Sequence, residues 1–207
     1  MGGSAKILLS EEELLLVNDS DLFPKKQVIT KKVFHLLQEL AELTKQSEYT
    51  TVMNFPPGTD FQLGKISKGE NYQEQPWVML DFPRLFSKES VFAFRTMFWW
   101  GHYFSFTFHL SGNAFNAHKS HLPEFLKALN GFPNLHFHTN LKFEWQHELE
   151  TGYRNVSGSL LEQKLEFTKE TLLKVACRTN LQNWNDVPEK GLKFYEGIMK
   201  ALQQAGV

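Results

Sequence analysis

Residues 91–110 alternate in character, and that alternation is the strongest structural signal in the chain. Even positions hold Phe92, Phe94, Phe98, Phe104, Phe106, Phe108 and Leu110, while odd positions hold Ala93, Arg95, Met97, Trp99, Tyr103, Ser105, Thr107 and His109. A single strand of that length would run about 66 Å, far beyond the usual strand, so two strands turning near Gly101 are expected. Register parity then selects the turn. A two-residue loop, Trp100-Gly101, sets Phe98 beside Tyr103 and scatters the phenylalanines over both faces. A three-residue loop, Trp100-Gly101-His102, pairs Phe98 with Phe104, Phe94 with Phe108 and Phe92 with Leu110, and gathers them on one face. A bulged, bent continuous strand is the other arrangement the pattern allows.

Other segments switch to the helical period. Ser10 and Glu13 form a capping-box pair opening a short helix over 11–17. Ile29, Val33, Leu36, Leu37, Leu40 and Leu43 make the apolar stripe of a long helix over 25–45. Strands are predicted over 49–55, stopped by Pro56-Pro57-Gly58, over 61–67, and over 77–82, closed by Pro83. A loop is expected after Gly112-Asn113, then a helix with Ser120 as N-cap, Pro123 in its first turn and Asn130-Gly131 at its end. Residues 135–145 alternate again: Leu135, Phe137, Leu141, Phe143 and Trp145 inward, His136, His138, Asn140, Lys142 and Glu144 outward. Residues 151–167 are ambiguous, with a helical piece over 160–165, and a strand follows over 172–178. Asp186 and Glu189 open the last helix, with Leu192, Tyr195, Ile198, Met199 and Leu202 as its stripe. Runs of strands with helices at the ends and at one crossover define an α+β fold. The expected form is one domain over 1–207, residues 1–9 flexible, whose mostly antiparallel sheet has about five to seven strands and packs against N-terminal, middle and C-terminal helices.

Composition narrows the function classes. Lys+Arg 22 against Asp+Glu 23 leaves a net charge of −1, which lacks the basic surplus of a nucleic-acid binder. The most apolar window, 91–110, carries Arg95, His102 and His109, so no membrane span is expected. The lone cysteine, Cys177, excludes an internal disulfide, and its alternation with Leu173 and Val175 makes it a buried small hydrophobe. The cytoplasm is the expected compartment.

Two constellations carry candidate chemistry. His136-x-His138 shares parity with Glu144, a set of types that suits a metal. The outward face of a half-exposed strand supplies such residues without one, so neither metal nor cofactor is expected and both imidazoles are expected at the surface. The second constellation is the odd face of the hairpin: Arg95, Trp99, Tyr103, Ser105, Thr107 and His109. A cation, an imidazole, hydroxyls and two aromatics on neighbouring rungs suit a small anionic ligand, a self-association or protein contact, or packing with a remote acid on Arg95. No acid of matching parity lies within 91–110, and Asp81 is expected to pair locally with Arg84. Phosphate-loop, nucleophile-elbow and dinucleotide motifs are missing. The expected function is a non-catalytic binding or assembly module using this face. The alternative is an enzyme acting on a small anionic substrate, with Arg95 as clamp and His109 as acid/base.

Overall fold

A computed structural model describes residues 7–150, 153–155 and 171–206. The chain opens with helices α1 (Glu11–Asn18), α2 (Leu22–Gln46) and α3 (Glu48–Val52). Four strands follow, β1 (Lys65–Tyr72), β2 (Gln75–Phe86), β3 (Ser90–Trp99) and β4 (Tyr103–Ser111), then helices α4 (Gly112–His118) and α5 (Leu122–Ala128). The short strands β5 (His136–His138) and β6 (Arg154–Asn155), strand β7 (Leu172–Asn180) and helix α6 (Val187–Gln204) complete the described fold. The strands form one sheet in the order β1-β2-β3-β4-β7-β5-β6, antiparallel throughout, so the molecule is α+β.

The hairpin register follows the parity argument. Phe92 faces Leu110, Phe94 faces Phe108 and Phe98 faces Phe104, across the three-residue turn Trp100-Gly101-His102. All six phenylalanines of the even set are buried in one core. Against them lie Val33, Leu37 and Leu40 of α2, Phe115 of α4, Phe125 of α5, and Phe194, Ile198 and Met199 of α6. Gly191 permits the close approach of α6: a Cβ there would come within 2.9 Å of Phe106 and 2.6 Å of Leu40. Cys177 pairs with Phe106 in register and packs on this core.

Local departures from the sequence expectations have physical causes. Residues 48–52 are helical, not extended, because Thr50 donates its hydroxyl to the Thr44 carbonyl at the open end of α2 and meets the Tyr195 hydroxyl. The first strand starts at Lys65 rather than at 61. Strand β2 passes through Pro83 instead of closing there, because a register shift between Asp81 and Arg84 spares the missing N–H. Helix α4 replaces the loop after Gly112-Asn113; its cap comes from far away, with Ser90 Oγ accepting the Ala114 N–H at 3.0 Å. Ser120 falls in a 3-10 turn ahead of α5 and does not cap it, and a 3-10 turn over 181–186 likewise runs into α6 without an Asp186 side-chain cap. The helical piece expected over 160–165 lies outside the described residues, as does most of the flexible start expected over 1–9. Among the described residues no helix is long and apolar enough to cross a membrane.

Phe106→Ala is expected to lower unfolding free energy by about 3–5 kcal/mol, the usual loss for an unfilled aromatic core cavity. Denaturant titration checks it, and a loss below about 1 kcal/mol contradicts the packing described.

Candidate functional site

The odd face of the hairpin is roofed by its own chain. Asn140 starts the roof: its side chain accepts the Lys142 N–H at 3.0 Å, which turns residues 141–143 into a 3-10 turn and ends β5 after His138. The alternation of 135–145 therefore does not become one long strand, and residues 144–150 cross over the polar face instead. Two tyrosines hold this crossing from below. Tyr72 Oη accepts the His147 N–H at 2.8 Å, and Tyr103 Oη accepts the Leu149 N–H at 3.0 Å while donating to Glu150. Leu149 and Tyr153 join Met79, Met97, Trp99, Tyr103 and Ala176 in a second, smaller core.

All six residues singled out on the hairpin come together on this face, and they lie beneath the roof. Arg95 is held by a bidentate pair with Asp81, at 2.6 and 3.1 Å, and its guanidinium stacks over Phe86 and Trp145. Asp81 thus serves Arg95, its direct register partner, while Arg84 pairs with Asp60 at 3.2 Å; the expected Asp81–Arg84 pair does not form. Trp99 donates its indole N–H to the Tyr72 carbonyl. Ser105, Thr107 and His109 are fully buried, and the buried Tyr153 hydroxyl lies beside Thr107.

Glu144 is the centre of the polar network. One carboxylate oxygen accepts from His109 Nε2 at 3.0 Å and from Ser111 Oγ at 2.7 Å. Those hydrogen bonds hold its carboxyl below the usual range. His109 has no exposed surface, and burial lowers its pKa from 6.5 to about 4 despite Glu144. It is therefore a neutral imidazole that donates from Nε2 and leaves a buried Nδ1 unsatisfied among the described residues. Lys174 faces the same space from β7. Its ammonium donates to the Glu144 and Gln146 carbonyls, and burial lowers its pKa from 10.5 to about 7. His138, expected at the surface, is buried and stacks on Tyr153, because the roof covers its side of β5; His136 is half-buried.

Glu144, Lys174, Asp81 and Tyr153 are the members of this face that the sequence reading missed. Lys174 carried a readable signal, a lone charge inside the apolar run Leu172-Leu173-Lys174-Val175-Ala176 at the parity opposite Leu173 and Val175.

An open groove lies elsewhere, between α2 and the β1–β2 edge of the sheet. Its volume is about 680 Å³, and Phe23, Phe34, Val78, Phe98 and Trp100 supply its apolar wall. Lys26, Lys31 and Lys68 rim it, with Lys26 paired to Glu70. No family model matches the chain, and no curated protein or solved structure matches it either.

Two predictions test the roofed face. Arg95→Met leaves Asp81 buried without its cation and is expected to cost about 3–5 kcal/mol. The double variant Asp81→Leu/Arg95→Met should recover most of that loss in the same urea titration, and equal losses in single and double variants would contradict the pairing. Stability should also rise with pH through two windows. Between about 4 and 6.5 the unfolded chain binds the proton that folded His109 refuses, so stability falls by about 3 kcal/mol as pH drops through that window. Between about 7 and 10.5 the unfolded chain likewise binds the proton that Lys174 sheds, so stability climbs again toward alkaline pH. His109→Gln should shrink the acid limb, to which buried His147 also contributes, and Lys174→Met should flatten the alkaline one; limbs unchanged in these variants would refute the assignment.

Proposed function

We propose that the protein is a non-catalytic binding module, and that its docking surface is the groove beside α2 rather than the hairpin face. Its ligand is an acidic amphipathic helix: apolar side chains on the aromatic wall, carboxylates against Lys26, Lys31 and Lys68. One observation carries the reading. The groove presents aromatic surface at an open edge with Lys31, Lys68 and the Lys26–Glu70 pair around it, whereas the hairpin residues with binding chemistry lie beneath residues 144–150. An enzyme acting on a small anion through Arg95 and His109 would need residues 144–150 to lift and Arg95 to exchange Asp81 for substrate. The groove needs neither. A cytoplasmic setting accords with the single cysteine, whose thiol burial pushes up to about 12, out of the reactive range.

The test is NMR titration of the full chain with a synthetic amphipathic helix bearing glutamates in its first turn and leucines after it. The indole cross-peak of Trp100 is expected to shift, and those of Trp99 and Trp145, on the roofed face, to stay. Phe34→Asp should weaken binding roughly tenfold or more, a change of about 1.4 kcal/mol or above. A silent Trp100 signal at saturating peptide would sink the proposal.

A further inference from the structure

Helix α1 is a helix without a neighbour. Its capping box is complete, with Ser10 Oγ accepting the Glu13 N–H at 3.2 Å and Glu13 accepting the Ser10 N–H at 2.6 Å. Its packing is absent: no α1 side chain is buried among the described residues. Ile7, Leu8, Leu14, Leu15, Leu16 and Val17 are each exposed by 47% or more. Contiguous apolar surface of this kind marks an interaction site on a folded protein.

Building on the groove reading, we propose that the groove's occupant is residues 7–18 of a second copy of this chain. Charge makes the match. Helix α1 carries Glu11, Glu12 and Glu13 in its first turn and no basic residue in its last, while the groove rim carries Lys31 and Lys68 beside the Lys26–Glu70 pair. Length fits too: α1 is about 12 Å long, and the groove follows α2 from Phe23 to Gln38, about 22 Å.

The linker selects a second copy over the chain's own helix. Asp19 Oδ1 accepts the Asp21 N–H at 2.8 Å, and the Asp19 carbonyl accepts the Leu22 N–H, so the turn between α1 and α2 is closed by its own hydrogen bonds. With that turn closed, α1 supplies no residue to the groove wall beside it. Folding back would break the turn, whereas a two-fold exchange leaves it intact and forms the same contact twice.

The test reads mass by light scattering on the full chain, with wild type expected at twice 24.1 kDa. Glu11→Lys/Glu12→Lys and Lys31→Glu/Lys68→Glu each place like charges in both contacts and should run as monomers. Mixing the two restores opposite charges in both contacts and should restore the dimer. Leu15→Asp, which keeps the glutamates, should also dissociate it. All substituted positions are exposed, so native circular dichroism is expected throughout. A dimer that survives every variant, or a mixture that stays monomeric, overturns the exchange. A monomeric wild type whose Trp100 signal still answers the acidic peptide overturns the second copy and leaves the groove reading standing. A monomeric wild type silent to that peptide overturns both.

Discussion

The three-residue turn at Trp100-Gly101-His102 fixes which way every side chain of β3 and β4 points, and the rest of the molecule accommodates that choice. With Phe98 opposite Phe104, the sheet gains a face of tilted and edge-on aromatic rings that α2, α4, α5 and α6 must cover. One residue more or fewer in the turn would send half of those rings to the other side. The same parity that collects phenylalanine in front collects Arg95, Ser105, Thr107 and His109 behind. The fold therefore has two problems of opposite chemistry on one sheet, and it solves them with different materials.

Helices suit the apolar face, since a helical stripe offers side chains and no free backbone groups. The polar face receives irregular chain, which offers carbonyls and N–H groups in directions a helix cannot. Lys174 finds the Glu144 and Gln146 carbonyls, and Tyr72 and Tyr103 find the N–H groups of His147, Glu148 and Leu149. Burial of that lysine, with Arg95 nearby, lowers its pKa to about 7 even though carbonyl oxygens accept from its ammonium. Polar groups of the sheet and backbone groups of the roof satisfy one another, so neither is stable in that position alone. Buried networks of this kind are strongly coupled.

Legibility in the sequence followed the range of the interactions. The hairpin register, the capped helix α1, the stripe of α2 and the side of the sheet on which Cys177 sits depend on period and parity within a few residues, and each could be read. Helix α3 and helix α4 were hidden because their decisive partners, Tyr195 and Ser90, lie far away in sequence. Asp81 was visible as an acid, but its pairing with Arg95 depends on the register between β2 and β3, which no local pattern reveals. The roof was misread for a similar reason. Alternation continues through 135–145, yet one capping interaction at Asn140 outweighs it, after which Glu144 and Trp145 serve the polar face from above.

The two ends of the sheet also differ in what they leave unfinished. Around β7 the chain seals its own polar face, and Lys174 there is met by the carbonyls of the roof. At the β1 edge nothing comparable happens: Phe23 is two-thirds exposed, aromatic residues line an open groove, and the apolar segment before it is uncovered. Burying a leucine or phenylalanine side chain is worth about 1.5–3 kcal/mol, so leaving several exposed on a preformed, acid-capped helix forgoes a large stabilisation. Apolar surface and the lysines Lys31 and Lys68 at one edge, with apolar surface and three glutamates on the adjoining helix, are two halves of a contact that this single chain, with its closed Asp19–Asp21 turn, keeps apart.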